Sequence, residues 1–391
     1  MSRIDRECFP DFLRDDRPVC AKCFDDTDLN QMIRRHDGLP GCSFCDQDDA
    51  PTIPFGLVAG YIKLTILKYY SRAIDELPHD GGEGGYQAWN IDTYDLIRSE
   101  LGLELPRNAN NHLFREIVDY IGDEIWCKYD WLVLDPDASL RFSWDEFCEI
   151  VKHQRRYFFH NKGSEDAFHP DLRSPLQLLT EVCRLVEKQN LIRTEAAGYT
   201  LYRARPRTEV AERHTTPASL GPPPQNVIQS NRMNPPGIPM FYGADLISLA
   251  VAETRNTIVS IGRFEALRPL RILDLANLPP VAGLFSDAER VDRLKLSFLR
   301  QFASIILQPV PRDDRVHIDY IPTQIFTEFL RDFDFEDGPI DGLRYRSATG
   351  EEGTNVVLFA GPSDVEGAVE PSKYGASPRP LLRLVDVEHR G

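Results

Sequence analysis

Cys20-Ala-Lys-Cys23 and Cys42-Ser-Phe-Cys45 each place two thiols three positions apart, with 18 residues between the pairs. A C-x2-C pair can clasp one ion from a tight turn, and two pairs complete a tetrahedral sulfur site for Zn²⁺. Four thiolates leave no position for water or substrate, so the expected role is structural. The segment between the pairs holds few large apolar residues, and a bound metal would supply stability that it cannot build alone. The bland alternative is four reduced thiols at the surface, against which the paired spacing argues. Cys8 and His36 rank behind the four as substitute ligands. Residues 1–52 carry seven Lys/Arg against twelve Asp/Glu, so a fold clamp or protein-contact module is expected rather than a nucleic-acid binder.

A second constellation, Arg107-Asn-Ala-Asn-Asn-His112, has the R-x4-H spacing of HEPN-type ribonucleases. In those enzymes an Arg steadies a phosphate and a His moves a proton. It follows Pro106 and is rich in Asn, so a loop and helix cap is the more natural reading. Lys152-His-Gln-Arg155-Arg156 reads as a solvated helix end, where cations favour the helix dipole.

The remaining chemistry lies after residue 197. Thr200-Leu-Tyr-Arg203-Ala-Arg205 alternates like a strand with two arginines on one side. A polar, Pro-rich loop over 215–230 leads to Asn231-Arg232-Met-Asn-Pro-Pro-Gly-Ile-Pro-Met-Phe-Tyr242-Gly-Ala. A helix capped by Asp245 then carries Leu246, Leu249, Ala250 and Glu253 at i, i+3, i+4 and i+7. A carboxylate closing an inward stripe either lines a cleft or is the first solvated residue past the core, paired with Arg255. Arg203 could equally serve a strand-edge ion pair with Asp245 or Glu209. Tyr242 could be a core residue bonded to backbone, and Ser347 a cap for the turn before Gly350.

Taken together these segments resemble the RES domain, named for its Arg, Glu and Ser. The match runs through Tyr202-Arg203, the Arg232–Ala244 stretch, Ala252-Glu253-Thr254, Tyr320-Ile-Pro-Thr-Gln324, Asp341-Gly-Leu-Arg-Tyr-Arg-Ser347 and Asn355-Val-Val-Leu-Phe-Ala360. It covers about residues 197–362. The middle of the chain resembles, more weakly, the HEPN-type domain that can precede it. The resemblance implies an α+β fold related to ADP-ribosyltransferases and an NAD⁺-degrading toxin or defence effector, a glycohydrolase or phosphorylase. Arg203, Glu253 and Ser347 take the catalytic positions, with Arg232 and Tyr242 as binding residues. A carboxylate suits the positive charge that builds on the ribose as the nicotinamide bond breaks, and arginines suit the pyrophosphate. The acceptor would be water or phosphate, with no metal needed. An antitoxin or regulatory protein, and self-association, are the partners it suggests. One departure is Asn231, where the family usually has Gly. A catalytically silent NAD⁺/ADP-ribose sensor, and a ribonuclease using Arg107 and His112, are the alternative functions.

Placing these residues requires several bodies. At 391 residues the chain exceeds the usual size of one domain. Helical periodicity over residues 55–192 predicts an all-α bundle, including a helix opened by a capping box at Ser143-x-x-Glu146 and one opened by Ser174-Pro175. Strand and helix patterns alternate thereafter. The expected division is a four-cysteine zinc module at 1–52, a helical HEPN-like domain at 53–194 and an α+β RES-like domain at 195–391. Forty-five basic residues against 61 acidic give a net charge of −16, which makes nucleic acid and anionic membranes poor default partners. The charged start lacks an apolar leader, no apolar run is long enough to span a bilayer, and eight cysteines are too few for a disulfide scaffold. A reducing cytoplasm is the expected compartment.

Overall fold

The computed structural model describes residues 15–36, 38, 41–45, 47, 49–82, 84–106, 111–158, 171–308, 316–369 and 380–391. The chain divides into two compact units, one of residues 1–135 with 281–294, the other of residues 136–280 with 295–391.

The first unit begins with β1 (Pro18–Cys20), which pairs antiparallel with β2 (Thr52–Pro54) and brings the two ends of the cysteine-bearing segment together. Between them lies α1 (Thr27–Arg34), whose first turn is capped by Asp26 accepting from the Asp28 and Leu29 amides. The helix α2 (Phe55–Tyr69) follows β2 directly. Next come β3 (Tyr70–Arg72), the two-residue strands β4 (His79–Asp80) and β5 (Gly85–Tyr86), β6 (Ile91–Asp92), α3 (Asn111–Ile121) and β7 (Ile125–Lys128). Strands β3, β7 and β6 form a small sheet, so this region is helical with short strands rather than all-α. Cys20 and Cys23 share one apolar core with Phe44, Phe55, Ile62 and Ile117. The knuckles are too small for a core of their own and use that of α2 and α3.

The second unit opens with α4 (Pro136–Glu149) and α5 (Pro175–Lys188). Ser174 and Gln177 form the capping box that starts α5, with Pro175 in its first turn. Ser143, expected to open a helix, instead sits inside α4, where its hydroxyl donates to the Ser139 carbonyl at 2.7 Å. These helices belong to the same unit as the α+β region and share its core. The reason is their apolar faces: Leu140, Trp144, Leu178 and Val182 join the core beneath the large sheet.

That sheet comprises β8 (Ile192–Glu195), β9 (Thr200–Pro206), β10 (Phe241–Ala244), β11 (Val259–Ala266), β12 (Leu270–Asp274), β13 (Gly342–Arg346), β14 (Thr354–Leu358) and β15 (Leu382–Arg390), in the spatial order β15-β11-β9-β10-β14-β13-β12-β8. The unit also holds three longer helices, α6 (Ile247–Thr254), α7 (Arg290–Leu307, from Lys295 on) and α8 (Ile321–Asp332). Among the described strands of this sheet β12 and β13 are the pair that runs parallel, which their connection through α7 and α8 permits. Alternation along the strands separates two cores. Leu273, Leu343 and Val357 face α4, α5, α7 and α8, whereas Ile272, Val356 and Leu358 join Phe241 and Phe264 on the other side. The fold is thus multidomain, with a helical, cysteine-bearing N-terminal region and an α+β region built on a large sheet.

Candidate functional site

The sheet opens between β9 and β10. β10 pairs with β14 at four positions but meets β9 only at Ala244↔Tyr202. Where the ladder stops, Arg203 takes its place: Nη1 donates to the Tyr242 carbonyl at 2.9 Å. Beside it lies a cavity of about 240 Å³, lined by Tyr202, Arg203, Tyr242, Glu253, Tyr345 and Asn355 among others. Burial, with help from the Arg205 charge, pulls the Arg203 guanidinium down to about 10, so it remains a cation at neutral pH. Among the described residues no carboxylate pairs with it; Phe241 lies under the cation at 5.6 Å. A desolvated guanidinium with no counter-ion at a cavity wall calls for an anion or another strong acceptor.

Glu253 lies in the last turn of α6, which Arg255 stops in the left-handed region at φ 55°. Its side chain is exposed into the cavity, with one oxygen firmly held. Ser347 Oγ donates to Glu253 Oε1 at 2.6 Å, and Asn355 Nδ2 donates to the same oxygen at 2.5 Å. Both donors are themselves placed. Ser347 Oγ accepts from the Thr349 amide at 3.0 Å, so it caps its turn and holds Glu253 at once. Asn355 is buried on β14. Oε2 takes neither bond and is the carboxylate atom left for a ligand.

A second cavity, about 500 Å³, is lined by Ser230, Arg232, Tyr242, Glu253, Tyr320 and Tyr345 among others. It shares Tyr242, Glu253 and Tyr345 with the first, so Glu253 stands at their junction. Arg232 packs over the Tyr345 ring at 5.9 Å, and its Nε is buried without an acceptor. Tyr242 donates its hydroxyl to Asn234 Oδ1 at 2.6 Å. Burial raises the Tyr242 phenol, and pushes that of Tyr345 up to about 12, so both rings stay neutral. Asn234 is buried, and Gln324 on α8 fixes its loop, with Nε2 2.7 Å from the Asn231 carbonyl and 2.9 Å from Ser230 Oγ.

All five residues expected from sequence therefore line or support one pair of cavities: Arg203, Arg232, Tyr242 and Glu253 in the walls, and Ser347 through its bond to Glu253. Asn355, Tyr345 and Gln324 lay within or beside the matched segments but carried no signal of a role, because a buried Asn or Tyr on a strand reads as core. Asp245 is not the cap of α6. Its carboxylate instead receives the Thr354 amide and hydroxyl, each at 2.8 Å, and ties β10 to β14. Asn231 is not among the residues with positive φ, so its backbone needs no glycine. Arg107 and Cys8 lie outside the described residues. His112 is exposed on α3, with Nδ1 2.7 Å from Glu116 Oε1.

In the first unit the sulfurs of Cys20, Cys23, Cys42 and Cys45 all lie within 4.8 Å of one another. Neighbouring pairs are separated by 3.7 Å (Cys20–Cys23), 3.4 Å (Cys20–Cys45) and 3.6 Å (Cys23–Cys42). Thiolates about 2.3 Å from a tetrahedral zinc would lie roughly 3.8 Å apart, so the donor set fits such an ion. The Cys20 and Phe44 amides point at Cys42 Sγ at 3.3 and 3.4 Å, the N–H···S support that a thiolate ligand uses. His36 is turned away, with Nδ1 against the Met32 carbonyl at 3.1 Å.

The second unit is thus an α+β domain whose Arg, Glu and Ser converge with tyrosines on one cleft. Residues 200–380 match the RES domain, and residues 35–165 match HEPN/RES N-terminal domain 1. The two matches fall in order along the chain, the HEPN/RES N-terminal domain ahead of the RES domain. No curated protein and no solved structure matches it.

Proposed function

We propose that this protein cleaves the nicotinamide–ribose bond of NAD⁺, as a toxin or defence effector. The observation that carries the reading is Glu253 at the junction of two cavities, with Oε1 fixed by Ser347 and Asn355. As the C–N bond breaks, its electron pair leaves with neutral nicotinamide and positive charge develops on the ribose. A carboxylate locked beforehand stabilises that charge without having to reorganise. Glu253 Oε2 is the atom for this task, or for a hydrogen bond from the ribose hydroxyls. The acceptor oxygen, from water or phosphate, forms the new bond to the ribose carbon, and water releases a proton. Arg203 and Arg232 bind the anionic part of the dinucleotide, and Tyr242 and Tyr345 offer ring faces to its bases. The four cysteines hold a structural Zn²⁺; they belong to the fold and take no part in the reaction.

Nicotinamide release from NAD⁺ by the full chain, with and without phosphate, tests this beside Glu253→Gln. Release by the wild type, reduced about 10²–10³-fold in the variant as for loss of a preorganised charge, is the expected result. Phosphate dependence would choose the acceptor. Binding of NAD⁺ with no release by either protein would overturn the enzyme reading in favour of a sensor.

A further inference from the structure

A third cavity in the second unit, about 940 Å³, has no part in the scheme so far. Its walls are the loop after β12 (residues 275–280), the face of α7 that carries Arg300 and Ser304, and the turn Arg346–Ala348 after β13. Ala348 also lines the 500 Å³ cavity, so the two spaces share the turn whose Ser347 holds Glu253.

Two arginines in this wall are held in the same manner. Arg300 Nη1 donates to the carbonyls of Leu278 at 2.9 Å and Pro279 at 2.7 Å, and Arg346 Nε donates to the carbonyl of Ala276 at 2.9 Å. Every acceptor lies in one loop, and that loop is itself fixed. Asp274 Oδ1 accepts from the Ala276 and Asn277 amides, both at 3.0 Å. Asp274 is buried, and Arg344 answers its charge from within the sheet at 3.4 Å. Asp274 therefore faces inward, and among the described residues no Asp or Glu lines the cavity. Carbonyl oxygens orient a guanidinium but do not cancel its charge. Nη2 of both arginines has no protein acceptor among the described residues. In a chain of net charge −16, a concave wall with two oriented cations and, among the described residues, no carboxylate is the inverse of the average surface. Guanidinium forks fixed beforehand match phosphate oxygens and lose little entropy on binding them.

We propose that this cavity is a phosphate-binding site serving the Glu253 centre, with Arg300 and Arg346 as its anion ligands. The shared chemistry is a phosphate oxyanion. Its source is either the pyrophosphate of the nucleotide whose ribose sits at Glu253 or a free phosphate that attacks that ribose. The choice between these sources rests on the proposed function; anion binding itself does not.

The test uses the full chain and Arg300→Gln/Arg346→Gln. Both side chains are exposed and bond only to backbone, and an unchanged melting temperature would certify the fold. Calorimetric titration with inorganic pyrophosphate and with inorganic phosphate should show binding in the wild type that weakens on the order of tenfold or more without the charged donors. Arg300→Lys/Arg346→Lys, which keeps the charge and loses the fork, should fall between. With nicotinamide release as readout, a rise in KM for NAD⁺ but not for nicotinamide riboside identifies the substrate's pyrophosphate as the ligand. A rise in the phosphate requirement alone identifies the acceptor. Equal pyrophosphate and phosphate binding by wild type and variant, or no binding by either, overturns the site. If no nicotinamide is released while anion binding still depends on the arginines, the catalytic reading fails and the site stands.

Discussion

The cysteine cluster and the Glu253 cleft are both constellations of polar side chains, but their construction is opposite. The cluster draws all its ligands from residues 20–45, brought together by two turns and the β1–β2 pairing. Its sulfurs face one another inside a hydrophobic core and leave no room for a substrate. The cleft gathers Arg203, Arg232, Tyr242, Glu253, Ser347 and Asn355 from three strands, a helix end and two loops, and its walls stay open. A closed site can spend its whole interaction energy on folding. An open one must keep some polar groups uncompensated, as with the Arg203 charge, which among the described residues has only a carbonyl partner, and the Arg232 Nε, which has none. Damage to the cluster should therefore appear as lost stability, and damage to the cleft as lost turnover in a folded protein.

The largest effect expected is at the cluster. The protein as purified should contain one zinc per chain by elemental analysis. Chelation, or Cys23→Ser, should lower the melting temperature sharply, since a structural zinc contributes about 10–16 kcal/mol in isolated zinc-finger peptides and some part of that in a larger core. Metal-free protein with an unchanged melting temperature would erase the contrast. Next come the cleft residues. Glu253→Gln should leave the melting temperature within about a degree, because an exposed side chain at a helix end contributes little to stability, while turnover falls as described above. Ser347→Ala and Asn355→Ala each remove one of two donors to Glu253 Oε1, and each should lower kcat about tenfold, the value of one charge-assisted hydrogen bond, with little change in KM. Asn355→Asp, which sets a like charge against Glu253, should do worse than alanine. If instead KM rises and kcat holds, Asn355 contacts substrate and does not position the carboxylate.

How far each region was legible follows from the same difference. The cluster could be read from spacing alone because its ligands are local in sequence. Helix α5 could be read from Ser174-Pro175 because capping is local chemistry. By contrast Ser143-x-x-Glu146 has the pattern of a cap but lies mid-helix, because Pro136 starts α4 earlier and Leu140, Trp144 and Phe147 bury its face. The association of α4 and α5 with the large sheet was not readable, since an apolar helix face does not name its partner. In the cleft, Arg203, Glu253 and Ser347 each had an ordinary structural alternative, and only the ordered set of RES-like segments joined them. Asn355 stood inside that set and passed as a strand residue. Its role appears only when β13 and β14 place it and the residue after Arg346 on the same carboxylate oxygen.

The smallest effect tests the folding side of the contrast through pH. Arg17 bridges Asp15 and Glu116, donating to Asp15 Oδ2 at 2.6 Å and to Glu116 Oε1 at 3.0 Å, while its guanidinium lies 5.1 Å from the centroid of the Phe44 ring between Cys42 and Cys45. The Arg17 hydrogen bonds hold both carboxyls below their ordinary values. A carboxyl lowered on folding binds fewer protons in the folded than in the unfolded chain. Its contribution is therefore fully present above the ordinary carboxylate range near pH 4 and is lost as pH falls through the folded values. Because the partners are partly solvated, the contribution is about 1 kcal/mol or less. Glu116→Gln should melt a few degrees below wild type at pH 7, and the two curves should converge as pH falls through the lowered folded value of Glu116, below which it is protonated in the folded and unfolded chains alike. The stacking of Arg17 on Phe44 survives in the variant at every pH, so it cannot produce convergence. A gap that stays constant with pH would assign the loss to packing around Glu116 and remove the ion pair from the forces that hold this region together.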